Sequence, residues 1–463
     1  MHAILAATDL TAARSQMAFT LGTHIILSCL GVGFPLIMLV ANWIGWKRDD
    51  ADAMKLARRW SKVVAVTFAV GVVTGTVLSF EFGILWPGLF DRFGEIIGLP
   101  FAVEGIFFFI EAIFIAIYLY GWDRLSTRAH FWTGVPIVLA GIGGAVSVVS
   151  ANAWMNQPAG FDLDAAGNVI NVDPLAAIFN DATPYEAPHM LFAAYMVAGF
   201  LVASVYAVGM IRNPSARRDR YHRLGLTIPF AIAAIATPLQ LFVGDTAARA
   251  IATDQPSKYA SMEYVTTTST HVPEYLLGIY DTKTGDVSGG IRIPDLNSLL
   301  AGFSPDTKVI GLDTVPVDER PPSPTLLHWC FDIMVGIGTA LFFLALWFGW
   351  AMWRRRRPPE HKLFLWAAAG AGVGAIAALE CGWIVTEVGR QPWIVYQVMR
   401  TEDAVTHASG IGIALGITVV VYALLFTAAI LVLRSMARRW RDDEDVEVPY
   451  GPTDDPPAAG ATA

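Results

Sequence analysis

The sequence predicts an all-α integral membrane protein with nine transmembrane helices. Hydrophobic residues make up 54% of the 463 residues and charged residues only 16%, whereas a soluble domain carries about 25% charged residues. The apolar residues fall into nine long stretches, and basic residues concentrate in alternate loops between them. This composition excludes a soluble enzyme and a disordered chain. The formal net charge of −8 provides no basic surface for nucleic acid.

Each apolar stretch is about 20 residues or longer, which is the length of a membrane-spanning helix. The first contains His24, lacks the basic segment that precedes the apolar part of a signal peptide, and is too long for one, so we expect it to be retained. The nine predicted spans cover residues 17–46, 63–86, 100–120, 131–152, 189–211, 224–244, 326–353, 363–386 and 409–433.

The charges of the loops predict the orientation. Lysine and arginine cluster after the first, third, fifth, seventh and ninth spans, whereas the loops 87–99 and 153–188 contain one arginine between them. Because basic residues mark the cytoplasmic side, we expect the N-terminus outside and the C-terminus in the cytoplasm. The sequence then divides into helices 1–6 over residues 1–244, an extracytoplasmic loop over 245–325, helices 7–9 over 326–440 and a disordered cytoplasmic tail over 441–463.

Ionisable side chains inside a span cost roughly a few kcal/mol each, so each one indicates a functional site. His24 lies among apolar neighbours in the first span, where its imidazole is either hydrogen-bonded to another helix or a haem ligand. Glu104 and Glu111 lie seven residues apart in the third span, on one helix face. The absence of a lysine or arginine nearby in these spans favours proton transfer or ligation over a structural role for the two glutamates.

His189 and Met334 open the fifth and seventh spans. Taken alone, a histidine at the end of a span is often interfacial, and a methionine in an apolar helix usually fills the core. Both are expected near the outer surface at the same depth. Histidine and methionine together ligate low-spin, electron-transferring haem, so their shared depth favours a ligand pair.

The end of the eighth span is dense in polar and aromatic residues. Trp383 and Glu387 precede residues 389–393, where a glycine and a proline also suit an ordinary helix terminus. The segment equally suits a clamp on haem propionates, with Arg390 as the charge partner. In the predicted orientation five residues fall in the outer half of the bilayer: His24, Glu104, His189, Met334 and Glu387. This grouping predicts electron-transfer chemistry near the outer surface.

Three other functions suit a chain this apolar. A haem-copper oxidase needs several histidines including an adjacent pair, and the sequence has no His-His. A haem b anchor of a quinone-linked dehydrogenase would conduct electrons without binding oxygen. A solute or ion transporter would use Glu104 and Glu111 as ion sites and would hold no haem, and the shared depth of the two histidines and Met334 disfavours it.

Several motifs resemble subunit I of the cytochrome bd-type quinol oxidases. The strongest is GRQPW at 389–393, with Trp383 and Glu387 before it. Residues 255–263, QPSKYASME, resemble the quinol-binding loop of that family, and the motifs GWDRL and ANAWM at 121–125 and 151–155 also match. The matches agree in order and topology over nearly the whole chain. Their wording is closer to the cyanide-insensitive branch with a short quinol loop.

The resemblance implies a terminal respiratory oxidase subunit of the bacterial cytoplasmic membrane, a quinol:O2 oxidoreductase. Such a subunit oxidises quinol at the outer face, reduces O2 to water and generates proton motive force by vectorial proton uptake. It also implies a second membrane subunit and, in some members, a small single-span peptide. The implied site residues are His189 and Met334 on the low-spin haem b, His24 and Glu387 at the high-spin pair of haem b and haem d, Trp383, Arg390 and Gln391 around the cofactors, Glu104 beside the oxygen-reducing haem, Glu111 in proton delivery, and Lys258 and Glu263 at the quinol.

The sequence departs from the family pattern in places. Asp332 stands two residues before Met334, where the family has an arginine, which alters the charge beside the low-spin haem. Glu104 and Glu111 are seven rather than eight residues apart. The branch also allows a third haem b in place of haem d. The resemblance does not choose between ubiquinol and menaquinol, nor does it assign His24 and Glu387 to individual high-spin haems.

Overall fold

A computed structural model describes residues 2–442 and 444, with side chains from Leu10 onward. Within these residues nine helices are long and apolar enough to span a membrane, which confirms the predicted fold class. In chain order the helices are α1 (His2–Arg48), α2 (Ala51–Leu85), α3 (Pro87–Tyr120), α4 (Thr127–Asn156), α5 (Pro174–Ile178), α6 (Thr183–Arg212), α7 (Arg220–Asp254), α8 (Pro256–Met262), α9 (Leu296–Gly302), α10 (Pro324–Arg355), α11 (Lys362–Gly389), α12 (Thr401–Ala404) and α13 (Ile411–Arg441).

Short strands lie in the connections between the long helices. In the described part of the chain they form four two-stranded antiparallel sheets, in which β1 pairs with β2, β3 with β6, β4 with β5 and β7 with β8. The strands are β1 (Asp162–Leu163), β2 (Val169–Ile170), β3 (Glu274–Leu276), β4 (Ile279–Tyr280), β5 (Val287–Ser288), β6 (Ile291–Ile293), β7 (Trp393–Val395) and β8 (Met399–Arg400).

Most of the long helices extend beyond their apolar stretches. The helix α7 continues to Asp254, so the loop predicted to begin at residue 245 begins after it. The helix α6 begins at Thr183, one and a half turns before His189. Hydropathy detects only the part of a helix that lies in the bilayer, whereas polar residues can continue the helix into water. Of the predicted tail 441–463, residues 443 and 445–463 lie outside the described residues.

The helices differ widely in how much of their surface is buried. The apolar windows of α1, α4 and α6 are between 50% and 61% buried, whereas that of α13 is 6% buried. The helices α1, α4 and α6 therefore form the centre of the bundle. The exposed apolar faces at the periphery, which include Phe109, Phe343 and Leu424, suit contact with lipid or with another membrane subunit.

The long loop between α7 and α10 packs onto one end of the bundle. Buried residues of the loop, Tyr259, Met262 and Leu312, form one apolar cluster with Leu327 of α10 and Val385 of α11. This cluster holds α8 against the ends of the membrane helices. The loop is therefore an ordered part of the fold.

Candidate active site

A cavity of about 860 Å³ lies among α1, α2, α3, α4 and α11. Its volume falls within the range of about 300–1,000 Å³ that is typical of ligand sites, which are mostly apolar with a few convergent polar groups. Seven of the predicted site residues line this cavity: His24, Glu104, Glu111, Trp383, Glu387, Arg390 and Gln391. The structure therefore brings together residues from three helices that are distant in sequence.

His24 enters the cavity from α1. Its Nδ1 lies 2.9 Å from the hydroxyl of Thr74 on α2, and its Nε2 lies 2.9 Å from the hydroxyl of Ser28. A Cβ on Gly75 would lie 2.9 Å from Cε1 of the ring, so a glycine is what allows α2 to approach the imidazole. If the Ser28 hydroxyl turned away, Nε2 would be free to hold a haem iron.

Glu387 and Arg390 form an ion pair at the cavity wall, with Nη2 to Oε2 at 2.6 Å. The other carboxylate oxygen accepts a hydrogen bond from Asn152 of α4 at 2.7 Å. Arg390 is buried, and its Nε and Nη1 have no hydrogen-bond partner among the described residues. A buried guanidinium with open donors suits a carboxylate or another anionic group of a bound cofactor. This observation fits the predicted propionate clamp.

Gln391 is fixed at the same wall. Its side-chain oxygen accepts hydrogen bonds from Arg14 at 2.5 Å and from Thr401 at 2.8 Å, and its amide donates to the Glu387 carbonyl oxygen at 3.3 Å. The polar wall is therefore already ordered by the protein itself.

Glu104 and Glu111 both face the cavity from α3, as their seven-residue spacing predicts. Glu111 Oε1 is buried and has no hydrogen-bond partner among the described residues. A buried carboxyl without a partner favours its protonated form. The two side chains are therefore suited to hold and pass protons beside the cavity.

His189 and Met334 do not line this cavity. His189 Nε2 lies 3.2 Å from the amide nitrogen of Gln240, and its Nδ1 is buried without a partner. A Cβ on Gly244 would lie 3.1 Å from His189 Cε1, and a Cβ on Gly382 would lie 3.0 Å from Met334 Sδ. Both side chains thus face glycines on neighbouring helices, as His24 does. An imidazole and a thioether are the donor types of a low-spin haem.

No group of three or more His, Cys, Asp or Glu side chains converges to hold a metal ion in the part of the chain that the structure describes. The candidate ligands stand singly or in pairs. That arrangement fits haem, because a haem iron takes only one or two ligands from the protein.

Lys258 and Glu263 lie outside the cavity and do not converge. Lys258 lies within α8, and Glu263 is the residue that caps its C-terminus. Five residues of helix turn the chain by about 140° from its starting direction, so the two side chains point in different directions. Lys258 is 2% exposed and donates to Asn156 Oδ1 at 3.2 Å. Burial lowers the pKa of Lys258 to about 8, a shift that the Glu186 carboxylate opposes and Arg390 reinforces. Glu263 is 4% exposed, and burial raises its pKa well above the usual value.

Comparisons with known proteins agree with this geometry. A family model described as cytochrome bd terminal oxidase subunit I matches residues 12–440. The chain belongs to this family. A putative cytochrome bd menaquinol oxidase subunit I from Bacillus subtilis is 36% identical over 95% of this chain and 98% of that protein. A cytochrome bd ubiquinol oxidase subunit 1 from the same organism is 28% identical over 96% of each chain.

A solved structure agrees as well. The bd oxidase from Geobacillus thermodenitrificans is 35% identical, with a TM-score of 0.86 over 93% of this chain and 98% of that one. The protein is therefore a multi-pass bacterial inner-membrane protein and a subunit of a terminal respiratory oxidase. Subunit I of a bd oxidase works together with a second subunit, and the family uses haem.

Several polar residues of this bd oxidase subunit were missed by the sequence reasoning. Asn156 Nδ2 donates to Glu186 Oε1 at 3.0 Å and to Asn152 Oδ1 at 3.3 Å. Through Asn152, which donates to Glu387, Asn156 links Lys258 to the cavity wall that carries Glu387. The spacing of Asn152 and Asn156, four residues apart on α4, places both on one helix face and was the signal available in the sequence. Glu186 gave no comparable signal, because it resembles a polar residue at the end of a span.

Proposed function

We propose that this bd oxidase subunit oxidises a quinol at the outer face of the membrane and reduces O2 to water at the cavity. The observation that carries the proposal is the cavity itself, where a histidine, three carboxyl groups and a buried arginine with open donors meet inside an apolar wall. The B. subtilis relatives named as menaquinol and ubiquinol oxidases support a quinol as the electron donor.

His189 and Met334 would hold the low-spin haem b. His24 and Glu387 would serve the high-spin pair, which is a haem b with either haem d or a third haem b. When bound, these haems would carry electrons and provide the iron at which oxygen is reduced. Arg390 would meet the negative charge of the cofactors, while Trp383 and Gln391 complete the wall.

The protein residues would move the protons. Glu111, whose carboxyl oxygen is buried without a partner, would take protons arriving from the cytoplasmic side, and Glu104 would pass them into the same cavity. With the N-terminus outside and the cavity near the outer surface, this uptake moves charge across the bilayer and generates proton motive force. The segment that carries Lys258 and Glu263 would receive the quinol and release its protons outside.

The exposed apolar faces of α2, α3, α10 and α13, whose windows are 17%, 11%, 17% and 6% buried, offer surface for the second membrane subunit and for a small single-span peptide. A subunit that covers them would remove apolar area that now lacks a protein partner.

A visible spectrum of the purified oxidase, reduced minus oxidised and with and without carbon monoxide, followed by haem extraction, tests the proposal. A chlorin band that responds to carbon monoxide would establish haem d, and haem b with such a response would establish the variant with haem b alone. Haem b with no response would instead indicate the electron-conducting anchor. An absence of haem would contradict the whole proposal and favour a transporter.

The change Met334→Leu tests the low-spin assignment. Leucine keeps the apolar volume but removes the sulfur ligand, so we expect the low-spin haem b spectrum to disappear while the helical fold, followed by circular dichroism, is kept. Gly336 has open space around its Cβ position, so Gly336→Ala on the same helix is a suitable control. An unchanged low-spin spectrum in Met334→Leu would reject Met334 as a ligand.

A further inference from the structure

Glu263 faces a second acidic side chain, Glu274 on β3. Both are buried, with exposed fractions of 4% and 5%, and their carboxyl groups are in hydrogen-bonding contact. Asn297 donates its side-chain amide to Glu274 Oε2 at 2.9 Å, and the Tyr259 hydroxyl donates to Asn297 Oδ1 at 3.4 Å. Glu263 Oε2, in contrast, is buried and has no hydrogen-bond partner among the described residues. The two acids thus have unequal surroundings.

Two carboxyl groups in buried contact do not both ionise, because like charges at that distance destabilise each other. Burial raises the pKa of Glu263 well above its usual value, and the Glu274 carboxylate raises it further. Burial also raises the pKa of Glu274, but the hydrogen bonds from Glu263 and Asn297 lower it. From α10, Asp332 adds negative charge towards both acids, and His328 faces Glu274. The contacts therefore favour a proton on Glu263 and the charge on Glu274.

We propose that Glu263 and Glu274 share one proton and that Glu274 is the positioning residue that enables Glu263 to act as the base in quinol oxidation. This inference rests on the proposed function. Burial without a partner at Oε2 favours the protonated form of Glu263, in which it cannot accept a further proton. The Glu274 carboxylate, held by Asn297, supplies the capacity to accept it.

Each half of the quinol oxidation transfers one proton to the acid pair. A quinol hydroxyl loses its proton to Glu263, and the proton that Glu263 already holds moves to Glu274. One quinol O–H bond breaks, one carboxyl O–H bond is gained, and the charge of the acid pair changes from −1 to 0. The electron leaves the quinol by the oxidase's own route. The pair then loses a proton to the outer aqueous phase before the second hydroxyl reacts.

Glu263 and Glu274 are covered in this conformation, so quinol docking has to displace part of the β3–β6 strand pair, which is called the hairpin below. Leu276 and Leu277, two and three residues after Glu274, are 40% and 47% exposed. They give this hairpin an apolar outer surface suited to a quinol ring or its hydrocarbon tail. The backbone N–H of Leu277 donates to Asp332 at 2.5 Å, which ties the same surface to α10.

The change Glu274→Gln in the complete purified oxidase tests the proposal. An amide keeps the shape but accepts no proton. We therefore expect the kcat with short-chain ubiquinol and menaquinol analogues to fall about tenfold or more, up to the roughly 10²–10⁴-fold contribution of general base catalysis. The KM should change by less than about twofold, because binding is not removed. The haem content should be unchanged, as should the rate with tetramethyl-phenylenediamine, whose one-electron oxidation releases no proton.

Two further variants complete the experiment. Glu274→Asp keeps a carboxylate and should recover part of the quinol rate, and Glu402→Gln makes the same chemical change at an exposed position and should alter neither rate. An unchanged quinol kcat in Glu274→Gln would overturn the proposal. Loss of haem in both Glu274→Gln and Glu274→Asp would also overturn it, since the role would then be structural. A wild-type oxidase that no quinol reduces would instead reject the proposed function.

Discussion

The two faces of α8 bury charge in opposite ways. On one face Lys258 lies near Glu186, Glu387 and Arg390, two positive and two negative groups, and Asn156 provides hydrogen bonds among them. On the other face Glu263 meets Glu274 and Asp332, and His328 faces Glu274.

The difference shows what each face is suited to do. A cluster of opposite charges has no net charge when its members are ionised, so it suits the attachment of the loop to the membrane helices. A cluster of like charges is stabilised only when it binds a proton, so it suits proton exchange. The charges around α8 therefore favour a structural role on the Lys258 side and proton exchange on the Glu263 side.

The largest effect is expected from Lys258→Met. Removing one member of a buried, balanced cluster leaves an uncompensated charge, which costs about 3–5 kcal/mol. We expect a clear fall in the thermal midpoint of the detergent-purified oxidase. Lys283 is exposed in the same loop, so Lys283→Met should change the midpoint little. The double change Glu186→Gln with Lys258→Met should restore part of the loss. Equal losses in the single and double variants would indicate that Glu186 does not interact with Lys258.

A smaller effect is expected from Gly389→Ala at the end of α11. The added Cβ would lie 2.8 Å from Lys258 Cγ, and this buried stem has little room to move, so overpacking should cost about 1–3 kcal/mol. Gly370 on the same helix has open space at its Cβ position, and Gly370→Ala should be neutral or slightly stabilising. Equal thermal midpoints for the two alanine variants would show that Lys258 is not packed against Gly389.

The smallest effects are expected from pH, and they have opposite signs on the two faces. The pKa of Lys258 is lowered from 10.5 to about 8. Between these two pH values the unfolded state binds more protons than the folded state, so the stability of the fold should rise with pH. The Glu263 pKa is raised above 4.5, so its contribution should be complete below pH 4.5 and lost as pH rises through the raised value.

Thermal midpoints measured against pH test both signs. The change Lys258→Met should remove the rise in the alkaline window, and Glu263→Gln should remove the fall that begins above pH 4.5. The exposed Glu402→Gln change should leave both slopes as they are. If Glu263→Gln kept the full fall, Glu263 would not be the group that titrates.

The membrane helices and most of the cavity follow directly from the sequence. Nine apolar stretches are sufficient to predict nine helices, because a bilayer allows few other structures. Glu104, Glu111 and His24 stood out because ionisable residues are rare in such stretches. The shared depth of His24 and Glu104 with Glu387 predicted their approach, and these three residues line one cavity together with Glu111.

The loop could not be predicted in the same way. Glu274 lies in a polar segment where acids are common, and only the pairing of β3 with β6 and the packing of α8 bring it to Glu263. Lys258 and Glu263 were both assigned to quinol because they lie in one motif. That assignment stays a prediction, and the five-residue spacing adds that the two side chains point in different directions.

The helix α8 has a mechanical consequence. It contains seven residues, so it is about 10 Å long and behaves as a short stiff rod. One end is seated through Lys258 and Asn156 on the wall that carries Arg390 and Glu387, and the other ends at Glu263 under the loop. In the proposed function, a quinol that displaces the loop would therefore also act on the contacts of the cavity wall.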